Sequence, residues 1–322
     1  MKKAAIIGCG SIAGFLDAPG QDSILTHAHA YMKHDDTKLI AVCDPSLKQR
    51  ESFVRRWGKE LRHYDCVREM LLHEKVDIVS ICSPTAFHFE ALQELLKNEQ
   101  VQAILCEKPF VRDQEEFDRV LPLLRATDKR LSINFLRRYD PSHQRLKKLI
   151  RSRELGELLH FSGSFSKGLY HNGSHMLELI EHLCGKLRRI QVNRSTHRDD
   201  DLYGTFYLET SSTRGVLQNE SGEHYSLFEL EIVLSKGRIK ILDSGHTIEI
   251  ETLQDSNRYP GYFSLKLKEI LEESMRHNLL HSLDYLLHGS DTASIFREHL
   301  ELSQKLLAIK AHLYEKNILE FT

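Results

Sequence analysis

Four apolar residues, Ala4-Ala5-Ile6-Ile7, lead straight into Gly8-Cys9-Gly10-Ser11-Ile12-Ala13. A short apolar run that ends in glycines reads as a buried strand of a parallel sheet turning into a helix. Gly8 allows the tight turn, Gly10 lets a pyrophosphate approach the backbone, and Ala13 is small enough for the helix to sit close to the strand. Ser11 and Ile12 lie at the helix start, where open N–H groups and the helix dipole favour a phosphate. Glycine-rich strand ends are common, so this stretch alone also fits a plain turn.

The rest of the chain bears on that choice. Residues 1–136 predict strands over 4–8, 38–43, 76–82, 102–106 and 131–135, with a weaker one over 61–64. Helical stretches fall between them, near 10–16, 26–33, 46–57, 66–73, 86–98 and 113–126. Such alternation implies βαβ units and a parallel sheet covered on both faces. Right-handed crossovers then place the loops after the strands along one carboxyl edge, where ligands bind.

Several polar residues fall on that edge. Asp44 ends the second strand, where a carboxylate suits a ribose 2′-hydroxyl and repels a 2′-phosphate; this favours NAD over NADP. It lies further from Gly10 than the usual ~20 residues, and the excess is a loop-like insertion over 15–26. The alternative is that Asp44, followed by Pro45-Ser46, only starts a helix. Ser83-Pro84-Thr85 follows the third long strand; Thr85 can cap the next helix, and His88 in its first turn can face a cofactor or simply be solvated. Glu107-Lys108-Pro109 follows the fourth. A lysine there can polarise a hydroxyl or carbonyl; the plainer alternative is a surface ion pair with Glu107.

Composition narrows the class. The chain has 322 residues, 41% hydrophobic and 28% charged, with a net charge of −2. That length accommodates two domains, and that charge argues against a broad nucleic-acid or membrane surface. No apolar stretch reaches the roughly 18 residues of a membrane span. Met1-Lys2-Lys3 mimics the charged end of a signal peptide, but the glycine turn follows at once, so a cytoplasmic protein is expected. None of the six cysteines forms a C-x-x-C pair, so neither a zinc site nor a disulfide framework is expected.

Gly8-Cys9-Gly10-Ser11-Ile12-Ala13, Ala41-Val42-Cys43-Asp44, Ser83-Pro84-Thr85 with His88, and Glu107-Lys108-Pro109 together resemble the Gfo/Idh/MocA family of nicotinamide-dependent oxidoreductases. Asn134 to Pro141, Gly156-Glu157 and a histidine-bearing helix over 172–184 also fit, so the likeness covers nearly the whole chain. The resemblance implies a Rossmann domain over 1–136. It implies a substrate-binding and oligomerisation α/β domain over 137–322, built on an open, mainly antiparallel sheet. It also implies a homodimer or homotetramer formed through that sheet.

The residues of the second half support this independently. A helix over 141–153 precedes strand patterns over 157–166, 187–195, 202–210, 214–220, 226–234, 237–242 and 246–252. Phe228, Leu230, Ile232 and Leu234 alternate with more polar residues, giving one apolar face. A sheet covered by helices on one face leaves the other needing a partner. A final helix near 291–315 carries Ile295, Leu302, Leu306, Ile309 and Leu313 at helical spacing and is expected to pack on the first domain.

Residues 170–185 hold the second candidate site. Asn172 or Ser174 can cap a helix that Gly185 ends. The family's helix carries Asp, then His four residues on, then an acid three after that. His175 matches the His and Glu178 the acid, but His171 stands where the Asp is expected. A second histidine cannot supply the negative charge that orients an imidazole and stabilises its charged form. Tyr170 can serve as the acid instead. His171, His175 and Glu178 also have metal-ligand spacing, yet the resemblance already accounts for His175 and no metal is expected. Arg137 and Arg138, after the last Rossmann strand, can bind an anionic part of the substrate or stand solvated beside Asp140.

The expected activity is hydride transfer between NAD, with NADP as the alternative, and a secondary alcohol of a sugar, sugar derivative or nucleotide sugar. Lys108 and His175 are the expected catalytic residues. Tyr170, His171, Glu178 and Arg138 are further catalytic or substrate candidates. Gly8, Gly10, Ser11, Ile12, Asp44, Ser83, Pro84, Thr85, His88, Glu107 and Lys108 are expected to hold the cofactor. Two alternatives share the fold: a redox-neutral NAD-dependent lyase, hydrolase or epimerase, and a non-catalytic dinucleotide-sensing regulator. The missing Asp at position 171 supports the regulator; Lys108 and His175 weigh against it.

Overall fold

The computed structural model describes residues 1–198, 201–220 and 222–321. The chain divides into two compact units, Met1–Tyr139 with Arg276–Gln304, and Asp140–Met275 with the segment from Lys305 onward.

The first unit runs β1 (Lys2–Ile7), α1 (Ser11–Gly14), α2 (His27–Lys33), β2 (Thr37–Cys43), α3 (Leu47–Trp57), β3 (Arg62–Tyr64), α4 (Val67–His73), β4 (Ile78–Ile81), α5 (His88–Lys97), β5 (Ala103–Cys106), α6 (Gln114–Arg125) and β6 (Arg130–Ile133). Its six strands pair in parallel in the order β3-β2-β1-β4-β5-β6. Strand order reverses between β1 and β4, which opens a crevice at their carboxyl ends. The strands are continuous apolar runs because helices cover both faces; Ala4, Ala5, Ile6, Ile78, Val79 and Ile81 have no exposed surface. Side-chain caps start the helices: Thr26 accepts from His29 N–H, Ser46 from Gln49 N–H, and Asp113 from Glu116 N–H.

The insertion between α1 and α2 is held by one buried carboxylate. Asp17 accepts from the N–H groups of Leu25 and Thr26, from the Thr26 hydroxyl, and pairs with His29 Nδ1 at 2.9 Å. The extra residues are therefore an ordered loop that leaves the order of the sheet unchanged.

The second unit contains α7 (Pro141–Arg151), β7 (Leu158–Ser166), α8 (Asn172–Cys184), β8 (Leu187–Arg198), β9 (Asp201–Thr210), β10 (Arg214–Glu220), β11 (Phe228–Leu234), β12 (Gly237–Leu242), β13 (Thr247–Asp255) and β14 (Phe263–Leu271). Three further elements close the chain: α9 (Asn278–His288), α10 (Thr292–Lys316) and β15 (Ile318–Glu320). Nine strands form one sheet in the order β14-β13-β12-β11-β7-β10-β9-β8-β15. All neighbours run antiparallel except β7 and β10. Phe228, Leu230, Ile232 and Leu234 of β11 are buried, as the alternation predicts. The opposite face carries a ladder of charge in which Lys240 reaches Glu249 at 3.1 Å and Glu251 at 2.9 Å, and Arg238 reaches Glu231 at 3.1 Å.

The sequence reading assigns no element at β14, α9 or β15. Helix α9 joins the first unit, where Leu279, Leu283 and Leu286 share a core with Ala4, Ile6 and Ile78. Within α10, Thr292 to Gln304 belongs to the first unit and the remainder to the second.

Candidate functional site

The glycine turn after β1 has the shape a dinucleotide needs. Gly8 has φ +89°, and a Cβ there would stand 2.5 Å from Ser83 N, so only glycine fits against the loop after β4. At Gly10 a Cβ would meet nothing within 4 Å; the backbone there is open to a ligand. The tightest helix contact falls at Gly14, where a Cβ would lie 2.4 Å from Trp57 Nε1, beside the buried Ala13.

Asp44 stands at the end of β2 with its carboxylate pinned. Oδ2 accepts from Cys9 N–H and Oδ1 from Ser46 N–H, both at 2.9 Å. With Gly8, Gly10, Ser11, Ile12, Ser83 and Pro84 it lines a cleft of about 1240 Å3. An open backbone cradle at a helix start, a fixed carboxylate and a cleft of this size fit a dinucleotide with a free ribose 2′-hydroxyl. Asp44→Ala is expected to narrow the preference for NADH over NADPH by about tenfold, because a charge-assisted bond to the ribose and the repulsion of a 2′-phosphate both go. Fluorescence titration with the two nucleotides checks this; an unchanged ratio would remove Asp44 from the site.

Four of the residues expected to hold the cofactor, Thr85, His88, Glu107 and Lys108, are not among those that line this cleft. Thr85 caps nothing: Thr85–Phe87 forms a single 3-10 turn, and α5 starts at His88 without a side-chain cap. His88 is buried and does not line the cleft. Its Nδ1 lies 2.9 Å from Pro109 O and its Nε2 2.8 Å from Ser83 O, so the ring stitches together the loops that follow β4 and β5.

Glu107 and Lys108 follow β5, both half-buried. Glu107 Oε1 accepts from Asn134 Nδ2 at 2.6 Å and lies 2.9 Å from His27 Nε2. Burial pushes this carboxyl up, but the bonds from His27 and Asn134 and the charge of Lys108 outweigh it and hold it below the usual carboxylate range. The sequence does not show that His27 and Asn134 meet Glu107; the tertiary structure brings them together. Arg138 is buried and donates to Glu298 Oε2 at 2.7 Å, which ties it to α10.

The histidine-bearing helix lies in the second unit. His171 is the N-cap residue of α8 and is exposed, His175 is half-buried in the first turn, and Glu178 is buried. Neither Asn172 nor Ser174 caps the helix: their side chains bond Ser166 O and His171 O. Asp201, at the start of β9, accepts from Tyr170 N–H at 2.7 Å and His171 N–H at 3.1 Å. A carboxylate thus serves the start of this helix, from a strand thirty residues further along the chain. Burial raises the Asp201 carboxyl despite these bonds. Burial, then the charge of Asp201, raises the Tyr170 phenol, which makes Tyr170 a poor acid. Gly185, with φ +94°, ends the helix as expected.

Fold and cleft define the first unit as a nucleotide-binding Rossmann domain. Residues 2–135 match the model of the oxidoreductase family with an NAD-binding Rossmann fold, Gfo/Idh/MocA. That match covers less than half of the chain and lies within the first unit. The chain is 32% identical over 156 residues to D-glucoside 3-dehydrogenase of Escherichia coli, a match covering 48% of this chain and 41% of that one. It is 30% identical over 132 residues to inositol 2-dehydrogenase of Rhizobium meliloti, covering 41% and 38%. These matches span less than half the length of either relative. The whole fold is similar to that of the WlbA dehydrogenase from Bordetella pertussis in complex with NADH and UDP-GlcNAcA, with a TM-score of 0.74 and 15% identity over 99% of this chain and 98% of that one.

Proposed function

We propose that the chain is an NAD-dependent dehydrogenase or reductase that acts on a secondary alcohol of a sugar or sugar derivative. The observation that carries this is Lys108 at the carboxyl edge of an NAD-binding sheet, next to a carboxylate that two buried donors hold ionised. Bound NAD supplies the hydride chemistry. Lys108 polarises the reacting oxygen and donates a hydrogen bond to it; His175 is the base that the family resemblance of the sequence suggests. NAD is preferred to NADP because of Asp44. The names of the two curated relatives favour a free glycoside or cyclitol, and the Bordetella neighbour makes a nucleotide sugar the finer alternative.

The protein forms homo-oligomers through the sheet of the second unit. Support comes from its charge-laddered face and from the edge strand β14, whose Phe263, Leu265 and Leu267 are exposed apolar residues two apart on one side. No described helix is long and apolar enough to cross a membrane.

The test is reduced-nicotinamide absorbance over methyl glucosides, inositols, sugar acids and nucleotide sugars, each with NAD and with NADP. Turnover with NAD on one class supports the proposal and names the substrate class. Silence across the panel, with NADH bound tightly, overturns it in favour of a redox-neutral enzyme or a dinucleotide sensor.

A further inference from the structure

Five polar side chains form a single file that runs through Glu107, the residue before Lys108. Tyr31 Oη lies 2.8 Å from Ser80 Oγ, and Ser80 Oγ lies 2.9 Å from His27 Nδ1. His27 Nε2 lies 2.9 Å from Glu107 Oε1, which Asn134 Nδ2 also reaches at 2.6 Å. Tyr31, His27, Ser80 and Asn134 are at most 1% exposed. They come from α2, β4 and the residue after β6, so the file joins a helix to the sheet.

The file has one consistent direction. An ionised carboxylate only accepts, so His27 Nε2 carries the proton and Nδ1 the lone pair. The Ser80 hydroxyl then donates to Nδ1, and the Tyr31 hydroxyl donates to Ser80 Oγ. Burial pushes the Tyr31 phenol well up, which keeps it a donor. Each donor thus has one acceptor, and the series ends at the carboxylate. Asn134 donates to the same carboxylate, while its own Oδ1 is buried without a hydrogen-bond partner among the described residues.

We propose that His27 is a positioning residue for Lys108: pinned by Ser80 on one ring nitrogen, it donates from the other to Glu107 and so holds an ionised carboxylate in one rotamer beside the lysine. The proposal rests on the assignment of Lys108 made above. It has two physical consequences. The fixed negative charge keeps the neighbouring ammonium protonated, which a hydrogen-bond donor to a substrate oxygen requires. The fixed side chain also restrains the loop on which Lys108 sits, where a misplacement of about 1 Å costs on the order of 10² in rate. Without the His27 donor, burial favours the neutral acid at Glu107 and both effects weaken.

The test reads Lys108 directly and needs no substrate. Competitive acetylation of the full-length protein at pH ~8, followed by mass spectrometry of the Lys108 peptide, reports how readily that lysine loses its proton. His27→Phe keeps the ring volume and removes the donor; Lys108 should label at least about threefold faster than in the parent, because the opposing charge is lost. His27→Gln, which keeps a donor, should label within about twofold of the parent. Glu107→Gln removes the charge at constant shape and should reproduce the Phe result, which keeps the proposal testable even if the Phe variant does not fold. A purely structural His27 would lower thermal stability and leave Lys108 labelling at the parent rate. That outcome in a folded Phe variant, or unchanged labelling in Glu107→Gln, overturns the proposal. Lys108→Ala separates the two assignments: retained turnover would sink the catalytic lysine while leaving the labelling result standing. Lost turnover with unchanged labelling would sink only the role of His27.

Discussion

Lys108→Ala is expected to lower turnover on the preferred substrate by about 10²–10⁴-fold, the range for removing one positioned acid–base or polarising group. NADH affinity should change by less than about threefold, since the proposed grip on the dinucleotide comes mainly from the glycine turn and Asp44. The two effects separate because the residues do: the phosphate cradle lies after β1, while Lys108 lies after β5, two strands away in the sheet. Lys108→Arg should restore little, because a planar guanidinium does not replace a compact ammonium. Initial-rate kinetics with NAD, beside NADH fluorescence titration, decide this. Equal losses of turnover and NADH binding would mean that Lys108 serves the cofactor and not the chemistry.

The largest stability effect is expected at Asp140. This residue is 2% exposed and caps α7, with Oδ1 accepting from Ser142 N–H at 3.0 Å and His143 N–H at 3.2 Å. The same oxygen lies 3.0 Å from His143 Nδ1 and accepts from Ser274 Oγ at 3.0 Å, while Oδ2 accepts from Met275 N–H at 3.0 Å. Two distant stretches of the second unit are joined by one carboxylate. Asp140→Ala leaves these donors without their acceptor and should destabilise the second unit by about 3–5 kcal/mol, as for other broken buried charged networks.

The pH dependence follows from the same bonds. Burial alone would raise the Asp140 carboxyl, but His143, the Met275 N–H and Ser274 hold it well below the ordinary range. The folded value lies below the unfolded one, so the unfolded chain binds more protons. The stabilisation is therefore fully present above the unfolded value of about 3.9 and is lost as pH falls through the folded value. Denaturant unfolding of parent and variant should show its widest gap at neutral pH and a narrowing gap below pH ~4. A gap independent of pH would assign the loss to the helix cap and not to the charge.

What the sequence determined by itself is local and periodic. Continuous apolar runs ending in glycine, Asp44, Ser83-Pro84 and Glu107-Lys108-Pro109 mark the strands and ligand edge of the Rossmann domain, because a strand buried on both faces allows only one kind of composition. The alternation over Phe228 to Leu234 marks a one-sided sheet for the same reason, since side chains of a strand point alternately to either face. Leu279, Leu283 and Leu286 had helical spacing too, but no neighbouring signal said that α9 would join the core around Ala4 and Ile6. Only the tertiary structure decided which polar side chains meet. It brought His27 and Asn134 to Glu107 and Ser80 to His27, tied both nitrogens of His88 to loop carbonyls, and set Asp201 at the start of the helix where His171 stands in place of an aspartate. Those bonds join residues far apart in the chain, and a hydrogen bond leaves no periodic trace in sequence. It is specified by packing, and packing exists only once the chain has folded.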